Sequence, residues 1–170
     1  MRRTWWLVLL AAALLGGCGH AAAKHSRSVA QAAGQRTYSS QVFGVALKCP
    51  HDWQVTSGYM ARLQGKEGYL QLGALQGSAM SPLAAAQAQT RQGMAPFGSH
   101  PKLTALKLDG EPAYLILPST DQSAQWQGES EVVVLYPKAQ TIAATPYRYL
   151  ILIADHGHIR SIAATLQFLH

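Results

Sequence analysis

The chain has 170 residues, 48% of them hydrophobic and 13% charged, enough for one domain with sequence to spare. Its net charge is +6, but no run of Lys and Arg follows position 3, which argues against the concentrated basic stripe that nucleic acid requires, and no nucleic-acid partner is expected. The two cysteines, Cys18 and Cys49, sit in such different surroundings that each needs its own reading.

Met1-Arg2-Arg3 is a short positive leader, and Trp5–Leu15 is an unbroken apolar run of 11 residues. That run is too short to span a bilayer as a helix and has the length of a signal-peptide core. It ends in Leu15-Gly16-Gly17-Cys18, which resembles the lipobox of bacterial lipoproteins, with Gly at position 16 where Ala or Ser is commoner. The resemblance implies cleavage before Cys18 and diacylglycerol on its thiol. The expected division is a signal peptide over 1–17, a linker over 18–37 beginning at lipidated Cys18, and a domain over 38–170. Removal of Arg2 and Arg3 would leave a mature charge of about +4, a weak bias toward anionic headgroups. Gly19–Arg36 is rich in Ala, Gly, Ser and Gln, has Val29 as its one large apolar residue, and reads as a tether. Its two histidines, His20 and His25, are too sparse for a metal-binding tail.

In the domain, a first strand is expected over Tyr38–Cys49, with Ser39-Ser40 as the place where it would break. Phe43, Val45, Leu47 and Cys49 alternate with smaller or polar residues and give it one apolar face. Pro50 ends it, His51-Asp52 turns the chain, and Trp53 re-enters the core, so Phe43–Val55 reads as a structural corner. Strands follow over Trp53–Thr56, Tyr59–Gln64 and Tyr69–Leu75. Ser81-Pro82 starts a helix running to Gln92, with Leu83, Ala84, Ala86 and Met94 as its apolar side. Lys102–Leu108 and Pro112–Leu117 flank Asp109-Gly110, a strong hairpin signal. Pro118–Gly128 reads as a loop, Glu129–Tyr136 as a strand, and Pro137–Pro146 as a loop. Tyr147–Ile153 is apolar on both faces and should be central and doubly covered. A last helix is expected from an Asp155 cap to the end, with Ile159, Ile162, Ala163, Leu166 and Leu169 inward. The sum is an α+β domain: an antiparallel sheet of about six to seven strands flanked by two helices.

Phe43-Gly44-Val45, then Cys49-Pro50-His51-Asp52-Trp53-Gln54-Val55, resembles the opening hairpin of PsbP-like domains, and the order of helices and hairpins is similar over roughly residues 38–168. Val45 and Cys49 stand where that family commonly has an aromatic residue and a tyrosine. The family includes photosystem II extrinsic proteins and bacterial lipoproteins. The resemblance implies an antiparallel sheet between helices and a non-enzymatic domain, and it transfers no site residues.

Candidate chemistry is sparse. His156 and His158 would share a face on a strand and could then hold a zinc or copper ion with His51 or His100, whereas at a helix start they point apart. Cys49 lies on an apolar strand face, as a buried inert thiol does. Trp126, Tyr147 and Tyr149, with Tyr136, could line a ligand groove or belong to core and rim. Glu129 and Glu131 pair at the start of a strand, where exposure is expected. No Gly-x-Ser-x-Gly elbow, phosphate loop or His-Glu-x-x-His is present. The expectation is a membrane-tethered extracytoplasmic binding or scaffold protein, not an enzyme and without a cofactor. It would stand on the outer face of a cytoplasmic membrane or in a periplasm, bound to the membrane through its lipid and to an envelope protein or small ligand. The alternatives are metal handling through His156 and His158, and an enzyme whose site has no familiar motif.

Overall fold

The computed structural model describes residues 34–77, 79–92, 94–126 and 128–169. The chain divides into two units, Met1–Gln31 and Ala32–His170. The expected signal peptide, Cys18, His20 and His25 lie outside the described residues. None of the described helices is long and apolar enough to cross a membrane.

The domain opens with a hairpin where one strand was expected. Strand β1 (Gln35–Ser40) turns at 41–44 and pairs antiparallel with β2 (Val45–Pro50). The Ser40 hydroxyl accepts from Phe43 N, and Gly44 takes φ +61°, so a serine and a glycine close a turn that alternation alone conceals. The strand begins at Gln35, so residues 35–37 belong to the sheet and not to the tether.

After the His51-Asp52 turn come β3 (Gln54–Val55), β4 (Arg62–Gly65) and β5 (Gly68–Leu75). Helix α1 (Pro82–Thr90) is capped by Ser81, whose Oγ accepts from Ala84 N at 3.2 Å, with Pro82 in the first turn. Strands β6 (Lys102–Leu108) and β7 (Glu111–Leu117) meet at Asp109-Gly110, both at positive φ as a type I′ turn demands. The expected loop at 137–146 is a continuation of two strands. Strand β8 (Glu129–Ile142) and β9 (Thr145–Asp155) run on past a register shift between Leu135 and Gln140 to a turn at Ala143-Ala144. Those alanines sit at φ 47° and 67°, a turn with no glycine or asparagine to announce it.

The final helix is also shorter than expected. Helix α2 spans Ile159–Ala163, and strand β10 (Gln167–Phe168) then pairs with β2. Thr165 Oγ1 donates back to Ile162 O at 2.7 Å and accepts from Lys48 N at 2.8 Å, so its side chain ends the helix and ties the exit to β2. Asp155 is not the cap; His158 occupies that position without a side-chain capping bond.

Seven strands form one sheet in the order β3-β4-β5-β9-β8-β7-β6, and β1-β2-β10 form a second, with every pair antiparallel. The expected single sheet between helices is thus a seven-stranded sheet with α1 on one face and, on the other, α2 together with the small sheet. Strand β9 is central and covered on both sides, as its composition requires. Val132, Val134, Leu150 and Leu152 face Val45, Leu47, Cys49, Trp53 and Ile162; Val133, Tyr149 and Ile151 face Ala85, Ala86 and Phe97. The buried side of α1 is therefore Ala85 and Ala86, while Leu83 and Met94 are exposed, because methyl side chains let the helix lie close to β7 and β8.

Candidate functional site

The residues with ligand character at 155–158 build a structural joint. Trp53 is 1% exposed and lies against Gly65, where a Cβ would come within 2.3 Å of the indole Cδ1, so that position demands glycine. The His158 ring meets the indole edge-on at 5.0 Å between centroids. His158 Nδ1 pairs with Asp155 Oδ1 at 2.7 Å, and the same carboxylate accepts from Gly157 N at 3.1 Å and Tyr69 N at 3.2 Å. Arg36 donates to Trp53 O at 2.6 Å. The turn residues His51 and Asp52 are exposed. His158 is committed to Asp155, His156 is exposed with its N–H donated to Gly128 O, and His100 bonds Ser99 Oγ at 2.6 Å. Among the described residues no three His, Cys, Asp or Glu side chains gather as a metal site. Cys49 is fully buried beside Val45 and Leu47 in strand alternation, and burial pushes its thiol pKa up.

The aromatic candidates do not share a groove. Tyr149 is buried on the α1 side and donates its hydroxyl to Met80 O at 2.5 Å, whereas Tyr147 packs against the opposite core. Tyr136 is buried there too, donating to Phe43 O at 3.0 Å. Trp126 lies half-buried in a 3₁₀ turn at Ala124–Trp126, its Nε1 shielded from solvent and without a partner among the described residues.

A serine, histidine and aspartate do meet, at the exposed loops before β6 and after β7. Asp121 accepts from Ser99 Oγ at 2.5 Å and from the Ser119 hydroxyl, and those two bonds hold its carboxyl well below the usual range. The aspartate bonds the serines and not the imidazole, so the group clamps two loops and does not form the relay of a nucleophilic triad.

The more unusual chemistry lies on the α1 face of β4, β5 and β8. Alternation from Val133 puts Glu129 and Glu131 on that face, and Glu131 sits in register between Ile116 of β7 and Ile153 of β9. Contrary to the expectation of exposure, Glu131 is 2% exposed and its Oε1 has no hydrogen-bond partner among the described residues. Burial, with the neighbouring Glu129 charge adding to it, pushes its pKa to about 8. Glu129 is raised as well by burial, opposed by the Tyr69 hydroxyl, which donates at 3.4 Å, and by Arg62. The Tyr69 phenol is raised by burial first and by Glu129 second. The Arg62 guanidinium carbon lies 4.3 Å from the Tyr69 ring centroid and 5.3 Å from that of Tyr59, and Nη1 donates to Gln71 at 3.0 Å. Next to it Tyr59 is 52% exposed and Met60 67%. The result is a guanidinium stacked on two tyrosines beside exposed Tyr59 and Met60, with half-buried Glu129 and buried Glu131 on the same face of the sheet. Individually these residues read as an ordinary strand and turn; only Arg62 preceding alternating Leu63 and Gln64 hinted at a charged strand face.

No family profile and no curated protein sequence matches the chain. Among solved structures, the chain is similar to cyanobacterial PsbP (CyanoP) from Synechocystis sp. PCC 6803, with 13% sequence identity and a TM-score of 0.46, over 91% of this chain and 98% of that one.

Proposed function

We propose that the chain is a lipid-anchored protein of a bacterial cell envelope whose domain is a non-enzymatic binding or scaffold module for an envelope protein or small ligand on the extracytoplasmic side. The observation that carries the binding role is the Arg62 shelf. A guanidinium held over the Tyr59 and Tyr69 rings, with Tyr59 and Met60 exposed, offers a cation and an apolar surface together. Arg, Tyr and Met are enriched where proteins bind proteins, and immobilised side chains lose little entropy on binding. The anchor rests on Leu15-Gly16-Gly17-Cys18. Two acyl chains give stable membrane attachment where one gives a reversible one.

Two experiments test this reading. Mass spectrometry of the mature protein should find an N-terminal Cys18 bearing acyl chains, and Cys18→Ala should block processing; a Cys18→Ala protein still cleaved and still membrane-bound removes the anchor. For the binding role, the protein is used as bait in detergent-solubilised membranes beside its Tyr59→Ser/Met60→Ser variant. A species retained by the native protein and lost with the variant supports the shelf. Identical retention by both assigns binding elsewhere.

A further inference from the structure

The seven-stranded sheet ends on one side at β3, beside the Arg62 shelf, and on the other at β6. Strand β6 is seven residues long and pairs with β7 alone. In an antiparallel pair alternate residues direct N–H and C=O away from the partner, so β6 presents a row of backbone donors and acceptors. None of the described loops or side chains bonds to that row. The face of β6 that turns away from α1 carries Leu106 and Leu108. Between it and α2 lies a pocket of about 180 Å³, lined by Leu106, Leu108, Leu115, Val132, Ala163 and Ala164, with Arg160 among its walls. Arg160 is exposed and forms no ion pair among the described residues.

Three features coincide here: an unpaired strand edge, an apolar pocket beside it, and a free guanidinium at the pocket. We infer that β6 and α2 form a docking groove for an extended peptide segment, which adds to β6 as an eighth strand, places an aliphatic side chain in the pocket and sets a carboxylate against Arg160. This is the arrangement of strand-addition recognition, in which main-chain bonds supply affinity and side-chain pockets supply selectivity. The acidic character of the segment follows from charge. Lys102 and Lys107 lie on the edge strand itself and Arg160 beside it. Against them stand Glu111, opposite Leu108 at the turn, and Asp109, whose Oδ2 accepts from Phe168 N at 2.8 Å. Lysines on an edge also discourage indiscriminate pairing between sheets, and an acidic segment turns that barrier into an attraction. The groove lies at the opposite end of the sheet from the Arg62 shelf and stands without it.

The test uses the full-length chain in detergent micelles and a fluorescent peptide, acetyl-Ser-Glu-Val-Thr-Leu-Glu-amide, followed by anisotropy. Saturable binding is expected, weakened about tenfold or more, equivalent to at least ~1.4 kcal/mol, by Arg160→Glu and by Ala164→Leu, which fills the pocket. Circular dichroism establishes that both variants fold; Arg160→Glu changes an exposed residue. A peptide with proline in place of both serine and threonine, one of which turns its N–H to β6 in either register, should bind about tenfold more weakly, and one with lysines for glutamates should not bind. No binding of the acidic peptide, binding indifferent to the prolines, or binding unchanged by both protein variants overturns the inference. So does a dimer in sedimentation that Arg160→Glu dissociates, since the occupant would then be a second copy of the chain.

Discussion

Asp155 and Glu131 stand on adjacent strands, β9 and β8, and both carry a carboxylate into the fold. Their surroundings differ completely. Asp155 has a partner for each oxygen, with His158 and Gly157 N on one and Tyr69 N on the other, and through them joins the β4–β5 turn, the end of β9 and the start of α2 to Trp53. Glu131, between two isoleucines in register, has one oxygen with nothing to bond. A buried polar group that is satisfied stiffens a joint, while one that is not costs stability until it loses its charge. The first region is therefore built to hold, and the second responds to pH.

The largest test of this contrast is Trp53→Ala. Removing a fully buried indole forfeits its transfer energy and leaves a cavity that Gly65 and His158 cannot fill, at a cost of about 3–5 kcal/mol. A urea melt measures it, and a loss below about 0.5 kcal/mol would mean that the corner does not hold the domain.

Glu131→Gln probes the other region. The folded pKa of about 8 exceeds the ordinary carboxylate value, so the native state binds this proton more tightly than the unfolded chain does. The resulting stability is complete below the unfolded pKa near ~4.3 and declines as pH rises through about 8. The loss across that window is of order 4 kcal/mol, and glutamine has no proton to lose. Melts at pH 5 and pH 9 should show the native protein weakening much more than the variant. Parallel pH profiles for the two proteins would show that Glu131 is solvated.

Asp155→Ala should cost about 1–3 kcal/mol, since it leaves Tyr69 N and His158 without their acceptor. If Asp155→Ala proves as mild as a surface change, the joint rests on the aromatic packing alone. The smallest effect belongs to His51→Ala, on the exposed outer side of the same turn, which should shift the melt by no more than about 0.5 kcal/mol. A larger loss there would move the boundary of the joint outward.

How much of this was readable beforehand varies with the range of the signal. Ser81-Pro82 and Asp109-Gly110 act through their own φ angles and hydrogen bonds, and both appear where expected. Val132–Val134 and Leu150–Leu152 are apolar on both faces, and their strands lie at the middle of the sheet. Trp53 turns inward because Pro50 and the following turn leave a large apolar ring no better place. The Ala143-Ala144 turn was illegible because alanine carries no turn signal and takes positive φ only when two paired strands enforce it. Leu166 and Leu169 extend the helical stripe of Ile159 and Ile162, but pairing with β2 makes Gln167–Phe168 a strand, so Phe168 turns inward and Leu169, expected inward, is exposed.

The sequence by itself determined the local punctuation, the central strands and the inward corner, since these follow from a residue's conformational preferences and the polarity of its near neighbours. Tertiary structure alone decided that Glu131 is shielded, that Arg62 lies over Tyr59 and Tyr69, and that β6 faces Arg160 across a pocket. Each of those depends on side chains from elements distant in the chain, and an alternating pattern is the same whether its polar face meets water or another layer of the protein.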